Sequence, residues 1–355
     1  MKLMIAILTT LLTTFYVTAV SATSVSIMTY NAENLFDTVH DEGKKDYTWL
    51  PLKTKQQSKE IQKYCASMRS EHYRRNCFEL DWSEETLDAK IQNLSRVILS
   101  FNKGEGADII VFEEVENINA LNLLVKQGLG KKGYKYISLI EGPDSRGIDI
   151  GMISRYPIIS QKLHKVDISK VQKGRSTRGI LEVTFKVKNK TVTVFGNHWP
   201  SQGNNDQTRL VASKVLAKKV KLVKSDLVVA TGDFNQTRSD SPHGINLNIL
   251  PLFEDVEVLG RKFSTETSVG THWYRGEWES LDRIFILKKS LKNKNVYVDY
   301  STFDIINKNF MVQDLEWIDF DTGAVNFDEN IPWRFNAKTY QGFSDHLPVA
   351  VKINL

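Results

Sequence analysis

Cysteine is nearly absent from these 355 residues, with Cys65 and Cys77 the only two. No neighbouring histidine pattern completes a four-ligand set around them, which argues against a structural zinc site. Long apolar runs are equally scarce. Leu3 to Val20 is the one such stretch, and nothing after it approaches membrane-spanning length. No Pro/Ser-rich linker and no internal repeat divides the chain. Net charge is small as well: 47 basic against 42 acidic residues leave +5. That excess, +4 without Lys2, is compatible with an anionic substrate without singling one out.

The apolar N-terminal run has the form of an export signal. Lys2 is the only charge before Glu33, and Val20-Ser21-Ala22 supplies the small residues a signal peptidase requires. The alternative, an uncleaved anchor, is disfavoured because a polar Thr-Ser follows Ala22 rather than a cationic stop. Residues 1–22 are therefore expected to be a signal peptide, leaving a secreted or periplasmic chain of residues 23–355. That is one large domain, with no lasting membrane insertion and no protein partner implied, and it is read as a monomer. In an exported protein an even cysteine count suggests a Cys65–Cys77 disulfide, against two buried free thiols. Both cysteines lie in a polar stretch at about 41–82, read as an insertion stapled to itself.

The apolar pattern alternates between strand and helix. Strands are expected at 24–30, 108–112, 136–140, 148–153, 180–187, 191–196, 227–230, 282–287 and 349–353. Ser83 should cap a helix carrying Leu87, Ile91, Leu94 and Ile98 on one face. Further helices are expected at 119–126 and from 207 to about 223, the latter with Lys214, Lys218 and Lys221 on its solvated side. Adjacent strands around Asn189 read as a hairpin, so antiparallel pairs enter the sheets. The fold class is thus α/β: a four-layer α/β sandwich of two packed mixed β-sheets flanked by helices.

Polar blocks follow or precede these strands: Tyr30-Asn31-Ala32-Glu33-Asn34-Leu35-Phe36, Glu113-Glu114-Val115-Glu116-Asn117, Asn197-His198-Trp199-Pro200, Thr231-Gly232-Asp233-Phe234-Asn235 and Ser344-Asp345-His346-Leu347-Pro348. One such block alone is an ordinary turn or helix cap. Five together, carrying carboxylates, amides and two histidines, suit phosphoester hydrolysis. Hard oxygen donors favour Mg2+, Mn2+ or Ca2+ over zinc. A carboxylate such as Asp233 can orient and deprotonate water, and the histidines can donate to phosphoryl oxygens.

In this order the blocks resemble the endonuclease/exonuclease/phosphatase superfamily, which includes pancreatic-type deoxyribonucleases, apurinic endonucleases, neutral sphingomyelinases and inositol polyphosphate 5-phosphatases. The likeness is nearest to bacterial secreted members opening with a YNxENLFD block, and it covers roughly residues 25–355 outside the insertion. The resemblance implies that Asn31 and Glu114 hold the metal, with Asp345 ligating or supporting it and Glu33 where some relatives carry an aspartate. It implies that Asp233 orients the attacking water and that Asn235 binds phosphate or that water. It further implies that His346 contacts the scissile phosphate with Asp282 as its carboxylate partner, that His198 is the general acid, and that Arg178 contacts phosphate. Glu113 departs from the pattern, since relatives commonly carry Gln there.

Several residues take the plainer reading. Asp149 either supports the site or makes a structural hydrogen bond within its strand. His40, His72, His164, His243 and His272 belong to no motif and are expected on the surface or in loops. Trp273, Tyr274 and Trp278 either stack on bases or fill a core. The function expected is a metal-dependent phosphodiesterase, a nuclease cutting DNA or RNA. The alternative is a phospholipid or inositol-phosphate phosphoesterase of sphingomyelinase-like activity, although no membrane-wedging apolar hairpin stands out. A non-catalytic binding protein on the same fold is the remaining class, and the presence of Glu114, Asp233 and His346 weighs against it.

Overall fold

The computed structural model describes residues 23–263, 268–319 and 322–355, so the expected signal peptide at 1–22 lies outside the described residues. Among the described residues sixteen strands follow in chain order. The first eight are β1 Ser24–Leu35, β2 Ile109–Val115, β3 Tyr136–Leu139, β4 Asp149–Ser154, β5 Ile158–His164, β6 Ile180–Val187, β7 Lys190–His198 and β8 Leu227–Asp233. The others are β9 Phe253–Asp255, β10 His272–Tyr274, β11 Glu277–Glu279, β12 Asp282–Leu287, β13 Tyr297–Ile305, β14 Val312–Ile318, β15 Val325–Pro332 and β16 Val349–Asn354. One six-stranded sheet runs β13-β16-β1-β2-β4-β3, and the other runs β5-β6-β7-β8-β12-β9. Each has one parallel pair at its centre, β1 with β2 and β7 with β8, among antiparallel neighbours.

Period-two alternation explains why the sheets stack face to face. In β7, β8 and β12 the residues Val192, Val194, Leu227, Val229, Ile284 and Ile286 enter the core between the sheets. Their neighbours Phe195, Val228, Ala230, Phe285 and Leu287 point the other way, under helix α6 (Asp206–Val220), with Leu216 and Val220. On the opposite side, helix α4 (Glu84–Leu99) covers the first sheet with Leu87, Ile91, Leu94 and Ile98. Ser83 caps it by accepting the Thr86 backbone N–H, while Asn205 caps α6. The result is the four-layer sandwich. Lys214 and Lys218 are exposed on α6 and Lys221 is exposed at its C-cap, as the sequence pattern implied.

Residues 52–79 form three short helices, α1 Leu52–Gln57, α2 Lys59–Ser67 and α3 Glu71–Glu79. A Cys65–Cys77 disulfide joins α2 to α3, and Leu50 and Ile61 complete a small apolar cluster of their own around it. Three expectations need correction. The helix at 119–126 is α5 Ile118–Leu123, which widens into a π-helical stretch at Leu124–Leu129. His164 is buried on β5, within 2.6 Å of Glu182. Strands β5, β9 to β11 and β13 to β15 are absent from the expected list: β9 to β11 are three residues each, β5 is mostly exposed, and β13 to β15 are half exposed and interleave acids with apolar residues. Strands β14 and β15 pair as a separate ribbon whose Ile318, Val325 and Phe327 are exposed. Among the described residues no helix is long and apolar enough to cross a membrane.

Candidate active site

The register of the second sheet lines up three polar residues. His198 of β7 pairs with Asp233 of β8, and Asp233 pairs with Asp282 of β12. All three are buried at the same end of the sheet. The close β7–β8 approach there requires Gly232: a Cβ would lie 2.0 Å from the Asn197 carbonyl oxygen, and φ is +135°. On the first sheet Asn31 of β1 pairs with Glu113 of β2, and beyond that pair the register slips in both strands. At the slip Glu33, Asn34 and Glu114 take positive φ of 48°, 64° and 59°, and across the site Asn235 takes 47°. These are costly conformations for non-glycine residues, and such strain clusters where side chains are aimed for function.

Asp233 is the hub. Its carboxylate accepts hydrogen bonds from Asn31 Nδ2 at 3.2 Å, Asn235 Nδ2 at 3.0 Å and Asn235 N at 2.8 Å. His198 Nε2 lies 3.6 Å from Asp233 Oδ2 and 3.9 Å from Glu114 Oε1. His346 Nε2 is 4.0 Å from Asp233 Oδ2 and 3.9 Å from Asp345 Oδ1. The other ring nitrogen of His346 shares a 2.7 Å hydrogen bond with Asp282. Ser344 fixes this segment, donating to the Asn31 carbonyl oxygen and accepting from His346 N. The structure therefore gathers Asn31, Glu114, His198, Asp233, Asn235, Asp282, Asp345 and His346 into one site. Arg178 borders it, buried, 3.4 Å from Asp144 and donating to the Trp199 carbonyl, with its Nε unpartnered.

Electrostatics differentiates the two histidines. Burial lowers the His346 pKa, but Asp282, then Asp345 and Asp233, outweigh it and hold the ring well above its usual value. His198 goes the other way: burial, then Arg178 and Arg146, push it well below, and its Nδ1 has no partner. Burial raises Asp233 to about 7, with His346 pulling it down and Asp282 pushing it up. At neutral pH His346 carries the proton, His198 is neutral, and Asp233 titrates.

A divalent cation suits the donors present. Burial and the neighbouring Asp345 raise Glu33 to about 7, even with Arg334 and Lys90 opposing. Glu33, Asp345 and Glu114 all act on this same pair of cations. Arg334 Nε donates to Glu33 at 2.7 Å, and its Nη2 lies 3.2 Å from Asp345. Three converging carboxylates with the Asn31 amide beside them form a hard-oxygen, anion-rich set, the chemistry that magnesium or calcium satisfies. A second grouping, His272, Asp345 and His346, has potential ligand atoms within 4.8 Å of one another.

Reading of the chain missed several of these. His272, expected on the surface or in a loop, instead bridges to His346 in β-fashion, its ring 4.6 Å away. Nothing in Thr271-His272-Trp273 marks it, nor is Arg334 in a motif. Lys90 did leave a signal, a charge inside the apolar stripe of α4, where it is fully buried and donates to the Phe343 carbonyl. Asp149 accepts the Gly142 N–H at 2.9 Å, from outside its own strand, and its second carboxylate oxygen is buried without a partner. Glu113 is buried and accepts from Thr29 Oγ1 at 3.0 Å.

Comparisons with known proteins agree with this fold. A family model described as Endonuclease/Exonuclease/phosphatase family matches residues 66–355. No curated protein matches the chain. Among solved structures it is similar to a humanized D. rerio TDP2 at 14% identity, covering 94% of this chain and 100% of that one with a TM-score of 0.55. It is similar to D. rerio TDP2 complexed with a single strand DNA product at 15% identity, covering 94% and 99% with a TM-score of 0.52. An endonuclease/exonuclease/phosphatase family protein from Bacteroides thetaiotaomicron gives 12% identity, 94% and 98% coverage and a TM-score of 0.52. At such identities the likeness is one of fold.

Proposed function

The chain belongs to the endonuclease/exonuclease/phosphatase family of phosphoesterase hydrolases, and on that premise we propose that it is an exported, divalent-metal-dependent nuclease that cuts DNA or RNA at P–O bonds. The observation that carries the reading is the buried row His198, Asp233 and Asp282, met from the first sheet by Asn31 and Glu114 and from the last loop by His346. Asn31, Glu114 and Asp345 hold Mg2+ or Mn2+, with Ca2+ as the other candidate. When bound, the cation offsets the charge that builds on the phosphoryl oxygens.

Asp233, oriented by Asn31 and Asn235, takes the proton of the attacking water. Its pKa of about 7 suits a base working near neutrality. Asn235 and Arg178 hold the phosphate. His346, kept charged by Asp282, donates to it. His198 faces the departing oxygen. It is neutral in the resting site because of its burial and the two arginines; an arriving phosphate offsets those arginines and raises its basicity, so that the ring takes up a proton from solvent and passes it to the departing oxygen. His198→Ala should therefore hurt most with a sugar alkoxide leaving group and least with nitrophenolate.

One observation favours the lipid alternative, the exposed Ile318, Val325 and Phe327 on the β14–β15 ribbon. The decisive assay incubates mature protein with plasmid, RNA and phospholipid vesicles, with and without magnesium. The nuclease reading expects nucleic acid cleavage that EDTA stops, and none by folded Asp233→Ala or His346→Ala. Cleavage of lipid alone would transfer the assignment, and full activity in EDTA would remove the metal role.

A further inference from the structure

A cleft of about 440 Å³ separates the β10 strand from the β14–β15 ribbon and opens at one end on His272, Arg334 and Asp345. We propose that this cleft seats one unpaired nucleobase beside the scissile phosphate, so that the enzyme acts on single-stranded nucleic acid. The inference rests on the nuclease reading and adds which strand state is accepted.

Three observations support it. The cleft is continuous with the site, since Asp345 borders both, so a base bound there belongs to a nucleotide next to the phosphate. Its volume is that of a small-ligand pocket, too small for a base pair flanked by its stack. Its walls are aromatic: Trp273 and Trp317 meet edge to face at 5.9 Å, forming a corner in which a base can stack on one ring and meet the edge of the other. Stacking of this kind tolerates any base, because every base has a π face.

The pleat of the ribbon sets the charge. Gln313, Leu315 and Trp317 of β14 face the cleft, and the intervening Asp314 and Glu316 are exposed on the outer face. Arginines Arg275 and Arg334 line the cleft side. The backbone of a second, paired strand beyond the ribbon would face those carboxylates.

The test compares kcat/KM in magnesium on oligothymidylate, on the same strand hybridised to its complement, and on a fully abasic chain of equal length. Wild-type enzyme should prefer oligothymidylate over both others by about tenfold or more, the size that loss of base stacking implies. Trp317→Ala should reduce the oligothymidylate-to-abasic ratio about tenfold, and Trp317→Phe should restore most of it. Loss by the same factor on both chains would mean that Trp317 only supports the fold, and the inference would fail. Equal cleavage of all three substrates by wild type would overturn the inference and leave the nuclease reading intact. No cleavage of any of them would remove that reading and this inference together.

Discussion

Glu113 and Glu114 are neighbours in the chain with opposite surroundings. Glu113 is wholly buried, and burial, reinforced by Asp282 and Asp233, pushes its carboxyl well above the usual carboxylate range. It therefore sits as a neutral acid, chemically close to the glutamine that the family pattern carries at this place. The native state keeps a proton that the unfolded chain releases above about pH 4.5, so native stability falls as pH rises from there, at no more than about 1.4 kcal/mol per pH unit. Glu113→Gln removes that proton. Thermal melts of metal-free protein should show the variant equal to wild type near pH 4 and more stable at pH 8, with activity retained. A variant that is less stable at pH 8 would mean that Glu113 is ionised in the native state. The same ledger sets the activity profile: with Asp233 at about 7 and required as the base, kcat/KM should fall as pH drops below that value.

Elements were legible where burial is one-sided and regular. β6 was expected at its observed bounds, and the Ser83 and Asn189 expectations held, because alternation, capping and turn chemistry are local. Strands β14 and β15 were not legible, because an exposed ribbon has no core face to enforce alternation, and β13 is a sheet edge whose register shifts between Asp299 and Asp304. At the site the reverse holds. Asn31, Glu114, Asp233, Asp345 and His346 stood out as blocks at strand ends, while His272 and Arg334 reach the site only through tertiary packing of a hairpin and a loop. The 52–79 helices show a third case, a segment whose own apolar cluster is small enough to need a staple. The Cys65–Cys77 pair closes a loop of sequence separation 12, which restricts the unfolded chain by about 2–3 kcal/mol. Cys65→Ser with Cys77→Ser should open α1–α3 first, read as faster amide exchange and proteolysis confined to residues 52–79, with phosphoesterase activity lost later on heating. Simultaneous loss of both would show that the segment and the sheets unfold as one unit.

For the whole molecule, the site is a joint between the two sheets. β1 and β2 supply Asn31, Glu33 and Glu114, β7, β8 and β12 supply His198, Asp233 and Asp282, and the segment before β16 adds Asp345 and His346. Burial of Glu33 beside Asp345 disfavours its charged form even with Arg334 and Lys90 opposing. The effect is visible in the rise of Glu33 to about 7 and the fall of Lys90, through burial, to about 8. A divalent cation that binds only the native state should relieve this and stabilise the protein by RT ln(1 + [M]/Kd), about 2.7 kcal/mol at a hundred times Kd. The melting temperature should therefore rise with magnesium or manganese in the absence of any substrate. Glu114→Gln, which removes ligand charge and keeps shape, should shift that rise to higher metal concentration, while Trp317→Ala, which removes no ligand and no charge, should leave the metal titration where it was. Calorimetry of the wild type that finds the same melting temperature in EDTA and in millimolar magnesium and manganese would mean that these carboxylates hold no cation.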